Sequence, residues 1–297
     1  PIEIYMRYIV LDIGGTTIKS AVIENNQMAC FSEISTYAQY GGKAVVDRVI
    51  RQIRQLGHCN AIGISTAGQV DSEKGRIIYA NENLPGYSGT ELGKIIFEIF
   101  RVPVVVENDV NAAALGEGSY GAAKGIKDYL CLTYGTGVGG AVIINGEVFR
   151  GITGSAGEFG SMIIHGDEVV RNTRISGCYE NYASTKALIS KVQKVFPHII
   201  NGRQLFENIE EPRVQKILEE WVEEIGHGLV SLIHIFNPEC VVIGGGIMEQ
   251  DYLIDKVRNC VMQRIMPSFR KVHICRADLK NKAGLWGMAY LIHKKYN

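Results

Sequence analysis

Leu11-Asp12-Ile13-Gly14-Gly15-Thr16-Thr17 and Leu132-Thr133-Tyr134-Gly135-Thr136-Gly137-Val138 occupy equivalent places in the two halves of this 297-residue sequence. Each ends an apolar run, at Tyr8 to Ile13 and at Tyr129 to Tyr134, and each leads into a second run, Ile18 to Ile23 in the first half and, after Gly140, a run to Ile144 in the second. Asn25-Asn26 closes the first pair and Asn145-Gly146 the second, so both halves read as strand, glycine loop, strand and turn. Repetition of a whole supersecondary unit points to two related α/β lobes facing each other.

The elements around these loops complete that pattern. Val45, Val46, Val49, Ile50, Ile53 and Leu56 have the spacing of one helical face, which predicts a helix over 44–56. Ala61 to Ser65 and Val102 to Val106 read as β-branched strands bounded by turn residues. Apolar positions from Val214 to Ile233 mark a long helix that stops at Asn237-Pro238. A strand at Val241 to Ile243 runs into Gly244-Gly245-Gly246, and Ala283 to His293 reads as a closing helix. The expected division is an N-terminal lobe over 6–115, completed by the helix at 283–297, and a C-terminal lobe over 116–282. Residues 1–5 precede the first strand and read as a remnant outside the fold.

Composition narrows the function. Lysine plus arginine and aspartate plus glutamate number 31 each, so no overall positive field exists to hold nucleic acid or an anionic membrane surface. No apolar stretch approaches the roughly 20 residues that span a bilayer, and no secretory leader is evident. The seven cysteines are scattered without a C-x-x-C pair and read as buried thiols of a reducing cytosol. A cytoplasmic protein with a small-molecule partner is expected.

A glycine after a strand lets backbone amides approach phosphate oxygens with no Cβ in the way. One such loop is equally well a hairpin; three of them, two carrying threonines, are better explained as a phosphate-binding cleft between the lobes. G-x-x-x-x-G-K-S/T is absent, and no G-x-G-x-x-G opens a helix, which argues against P-loop and dinucleotide folds.

These residues also carry a family resemblance. Asp12-Ile13-Gly14-Gly15-Thr16 and Leu132 to Gly140 resemble the two phosphate segments of the actin, hexokinase and Hsp70 superfamily. Glu107-Asn108-Asp109-Val110-Asn111-Ala112-Ala113-Ala114-Leu115-Gly116-Glu117, Gly157-Glu158-Phe159-Gly160 and Gly177-Cys178-Tyr179-Glu180 resemble the hallmark runs of ROK sugar kinases. The resemblance implies two RNase H-like, actin-like ATPase lobes with an interlobe cleft, and ATP and Mg²⁺ as cofactors. It implies phosphate contacts from Asp12, Gly14, Gly15, Thr16, Thr17 and Lys19 in one lobe and from Thr136, Gly137 and Gly139 in the other, with Gly244, Gly245 and Gly246 near the adenosine. Asp12 would hold magnesium through water, as suits an ion that keeps much of its hydration. Gly68, Asn83, Asn108, Asp109, Glu158, Ser161 and Glu180 would face the sugar, and dimers are common in such kinases.

Asp109 is the candidate base for phosphoryl transfer to an alcohol. It stands at the start of a helix through Ala112-Ala113-Ala114-Leu115, where Asn108 or Asp109 equally suits an N-cap. Residue types alone leave those readings open, and the resemblance favours the base. Many ROK proteins place a histidine after G-E-x-G and a C-x-C-G-x-x-G-C cluster beyond it, together binding a structural zinc. Here Ser161 replaces the histidine and only Cys178 remains, so no zinc is expected. The smaller Ser161 leaves room at the anomeric side, and the Gly157 to Met162 segment is similar to that of β-glucoside kinases. The expected acceptor is the 6-hydroxyl of glucose or of a β-glucoside such as cellobiose, with N-acetylmannosamine or fructose as alternatives. A sugar-responsive regulator is disfavoured, since the phosphate loop at Asp12 leaves no helix-turn-helix ahead of it.

Overall fold

The computed structural model describes residues 6–173 and 176–296, and the expected remnant at 1–5 lies outside them. Two compact units result: one built from the chain up to Lys124, Arg150–Ala156 and the chain from Lys282 onward, the other from Gly125–Phe149 and Gly157–Asn281.

The first unit begins with β1 (Arg7–Ile13), β2 (Thr17–Glu24) and β3 (Gln27–Ser35), an antiparallel meander, followed by α1 (Gly42–Leu56) and β4 (Ala61–Thr66). A small ribbon of β5 (Gln69–Asp71) and β6 (Arg76–Tyr79), then α2 (Leu92–Phe100), β7 (Val104–Asn108) and α3 (Asp109–Tyr120) follow. The sheet order is β3-β2-β1-β4-β7, with β1, β4 and β7 parallel. Successive side chains of a strand face opposite ways. Ile9, Leu11 and Ile13 of β1 therefore pack with Val45, Val49 and Ile53 of α1, whereas Tyr8 and Val10 pack on the opposite face.

The second unit repeats this plan. Its strands are β8 (Tyr129–Tyr134), β9 (Val138–Ile144) and β10 (Glu147–Val148), and its helices are α4 (Glu180–Ala183), α5 (Thr185–Gln193), α6 (Gly202–Glu207) and α7 (Pro212–Phe236). Then come β11 (Cys240–Gly244), α8 (Asp251–Met262) and β12 (His273–Arg276). The order β10-β9-β8-β11-β12 reproduces that of the first sheet, antiparallel through β10, β9 and β8, then parallel through β11 and β12. Trp221 of α7 is fully buried, and its indole N–H donates to the carbonyls of Ala183 and Ser184. Among the described residues no helix is long and apolar enough to cross a membrane. Among the described residues no disulfide forms; five cysteines are buried, but Cys30 is exposed and Cys275 half-buried, so burial does not extend to all seven. Cys30 sits at φ 53° in β3, where the strand's side chains largely face solvent.

The chain closes with α9 (Ala283–Tyr296), which lies along α3 in the first unit. Leu285, Met288, Ala289 and Ile292 join Ala112 over the face of the sheet that carries Tyr8, Val10, Ala61 and Val105. The two helices touch backbone to backbone: a Cβ at Gly287 would overlap the Ala112 carbonyl, and one at Gly116 would overlap that of Ala283. Added volume in so tight a contact forces the backbones apart and outweighs the better helix propensity of alanine. We expect Gly287→Ala to lower stability by about 2 kcal/mol, measured as a shift in the midpoint of urea unfolding.

Candidate active site

In the first unit, strand register places the polar residues. Asp12 stands opposite Ser65, which stands opposite Glu107, and Thr66 pairs with Asn108. Asp12, Ser65 and the Asn108-Asp109 pair thus gather at the carboxyl edge of three parallel strands, with β1 and β7 two strand spacings, about 10 Å, apart. This is the edge where open α/β sheets bind ligands.

Each carboxylate is fixed by named donors. Ser65 Oγ donates to Asp12 Oδ1 at 2.7 Å, and Lys19 Nζ, opposite Asp12 on β2, lies 3.3 Å from Oδ2. Gly284 of α9 leaves just enough room beside this group, since a Cβ there would come within 3.0 Å of the Ser65 hydroxyl. Asn108 is the N-cap of α3: its side-chain oxygen accepts from the amides of Val110 and Asn111 at 2.9 and 3.1 Å. Its amide nitrogen donates to the Gly68 carbonyl and to Asp109 Oδ1, both at 2.9 Å, and Val110 N–H also reaches that oxygen at 3.0 Å. The cap is therefore Asn108, and Asp109 is the first helical residue, half-buried, its Oδ1 accepting from Asn108 Nδ2 and Val110 N–H.

Beneath Asn108 lies a group the sequence reading did not single out. Glu107 is buried, accepts from Asn108 N–H and Asn111 Nδ2 through Oε1, and takes Arg150 Nη2 at 2.5 Å on Oε2. The partner lies 43 residues away, which no local pattern reveals.

The remaining expected residues of this unit are close by. Gly14 N–H donates to Thr17 O and Gly14 O accepts from Thr36 Oγ1, while Thr16 O takes the Thr36 amide, closing the loop. A Cβ on Gly15 would approach the Asn83 side chain at 3.3 Å, so this loop and Asn83 adjoin. Gly68 has φ 101°, with the Tyr79 carbonyl where a side chain would begin.

The second unit gathers the rest. Gly137 and Gly160 border the Glu180 carboxylate; a Cβ at Gly137 would fall 2.6 Å from its Oε2. Tyr179, the preceding residue, is fully buried, with its hydroxyl 2.8 Å from that of Tyr134 and donating to Ile225 O at 2.8 Å. Burial pushes both phenols up, so they remain protonated and tie the end of β8 to α7. Glu158 and Ser161 are exposed, and Ser161 N–H donates to Glu158 O. Gly139 lies within β9 opposite Thr133.

A cavity of about 530 Å³ opens beyond the 135–137 loop, lined among others by Gly135, Thr136, Thr185, Lys186, Asn201 and Gly246. Ile189, Ile200 and Ile247 supply its apolar wall. Of the three late glycines, Gly244 ends β11 and Gly245 turns at φ 110° against the Tyr134 backbone, whereas only Gly246 lines this cavity. Thr185, Lys186, Asn201 and Ile247 carried no sequence motif and emerge only once α5, α6 and the 246–249 turn are folded together.

The zinc expectation rested on Ser161 and Cys178, and two residues of the run between them, 174 and 175, lie outside the described residues. The fold adds what that local count lacked. Glu224 and His227 of α7 stand beside His165, with candidate ligand atoms of all three within 4.8 Å of one another.

Residues 8–295 match the ROK family. The chain belongs to that family. It is 30% identical to a glucokinase of Streptomyces coelicolor, covering 95% of this chain and 96% of the relative. It is 29% identical to a beta-glucoside kinase of Listeria innocua, covering 96% and 97%. A crystal structure of a ROK family glucokinase from Streptomyces griseus in complex with glucose and AMPPNP superposes with a TM-score of 0.82 at 29% identity, covering 96% of this chain and 98% of that one. Two five-stranded mixed sheets in a repeated α/β plan are thus the fold of this ROK chain. Loss of a helix N-cap costs about 1 kcal/mol, so Asn108→Ala is expected to destabilise the protein by that amount in urea unfolding.

Proposed function

We propose that this ROK chain is an ATP-dependent sugar kinase that phosphorylates the 6-hydroxyl of a glucose unit, free or in a β-glucoside, with Asp109 as the base. The observation that carries this reading is the division of roles at the start of α3. Asn108 caps the helix, so the helix does not need Asp109 as its cap, and the Asp109 carboxylate stands at the sheet edge that also carries Asp12.

The second unit suits a nucleotide. Gly135 and Gly246 have open space where a Cβ would stand, as close approach of phosphates requires. Thr136, Thr185 and Lys186 offer donors, and the isoleucines offer faces for a planar base. These residues would hold ATP, and Asp12 would hold magnesium through water, sharing the carboxylate with Lys19 and Ser65. ATP with magnesium supplies the transferable phosphoryl group and offsets the charge on it.

Asp109 accepts the proton of the sugar hydroxyl as the new O–P bond forms and the bond from the γ-phosphorus to the bridging oxygen breaks, leaving ADP and the sugar phosphate. The N-terminus of α3 favours the ionised carboxylate, ready for that proton late in the reaction. Asn83 and Asn108 of the first unit, and Glu158 and Glu180 of the second, would supply amides and carboxylates suited to sugar hydroxyls.

Similarity to kinases named for glucose and for β-glucosides supports the acceptor class, and Ser161 supports a glycoside. A coupled ADP-release assay with glucose, cellobiose, N-acetylmannosamine and fructose tests the reading. We expect turnover to be highest with glucose or cellobiose; strict preference for N-acetylmannosamine would overturn the choice. If Ser161 makes the room for an aglycone, Ser161→His is expected to lower kcat/KM for cellobiose about tenfold relative to glucose.

A further inference from the structure

In the second unit, His165 Nε2 lies 2.8 Å from Glu224 Oε2, and His227 Nδ1 lies 3.3 Å from the same oxygen. Glu224 and His227 are three residues apart on α7 and so share one face of that helix. His165 comes from the segment between the 159–161 turn and α4, 59 residues earlier. Tetrahedral zinc, with bonds of about 2.0–2.1 Å to imidazole and carboxylate, sets its ligand atoms roughly 3.3 Å apart. Both measured separations are near that spacing, and the third closes within the 4.8 Å that spans the group.

The surroundings favour a cation. The Tyr182 ring lies against His165 with centroids 4.1 Å apart and planes tilted by 41°, and the Tyr182 hydroxyl donates to Glu168. Glu168, which accepts that hydrogen bond, adds a second carboxylate close to the group. Two imidazoles with one carboxylate suit zinc or a similar borderline metal, whereas magnesium and calcium prefer oxygen donors.

We propose that His165, Glu224 and His227 form a zinc site that fastens the segment leading to Glu180 onto α7. None of the three stands at Ser161 or Cys178, the positions to which the family's cluster maps. Bound metal replaces the two hydrogen bonds by bonds from His165 Nε2, His227 Nδ1 and Glu224, and water fills the fourth position. His165 N–H and Ile164 N–H both donate to Gly177 O, and Met162 O accepts from Tyr179 N–H, so a fixed His165 holds the start of α4 through backbone bonds.

The test uses tag-free protein stripped with a chelator and titrated with Zn²⁺ alone, read by calorimetry and by thermal melting. Wild type is expected to take up a single equivalent and melt at a higher temperature with zinc. His227→Ala, at a side chain 44% exposed and therefore safe for folding, and Glu224→Gln are expected to lose both effects, while Cys178→Ser keeps them. Absence of stoichiometric uptake by wild type would overturn the site. So would uptake that survives both His227→Ala and His165→Ala, or that depends on Cys178 instead.

Discussion

The close approach of α3 and α9 is the constraint on which the first half of the molecule depends. Helices with side chains at their contact stand 8–10 Å apart; here Gly116 and Gly287 let carbonyls of one helix meet the backbone of the other. That contact carries α3 down onto the face of the sheet formed by Tyr8, Val10 and Val105. Since Asp109 is the first residue of α3, the height of this helix above the sheet sets where its carboxylate stands. The same helix α9 brings Gly284 against Ser65 and Asp12, so one pair of helices governs both carboxylates.

Beneath this lies a polar arrangement of unusual economy. Glu107 is buried at the end of a strand of valines, a costly place for a charge unless it is paired and hydrogen-bonded. Arg150 and the Asn108 and Asn111 donors meet that requirement, and the same contacts orient the asparagine that caps α3. The buried charge thereby fixes the residue next to Asp109, linking the 150–156 segment to the site without touching it directly.

Much of this was readable in the sequence. Tyr129–Tyr134 and the start of α9 are found where the apolar runs place them, because buried strands and helices must be apolar on the faces that pack. The repeated strand, loop, strand order is matched by two sheets of identical topology. Other elements escaped for physical reasons. β3 turns most of its side chains to solvent and shows no clear alternation. The run Val102 to Val106 predicts a strand two residues early: β7 spans Val104–Asn108, and Arg150 satisfies the Glu107 charge that a local pattern reads as a strand end. The half-sites show the same limit: Asp12, Asn108 and Glu180 belong to motifs, whereas Ser65, Thr185, Ile247, Glu224 and His227 are brought in by folding alone.

The central claim is that Asp109 takes the proton of the sugar hydroxyl, and the steady-state turnover of Asp109→Asn with saturating ATP and sugar tests it most directly. The account predicts a fall of about 10²-fold or more, with wild-type unfolding behaviour retained because Asn108 still caps α3. Turnover near that of wild type in the folded variant would contradict it.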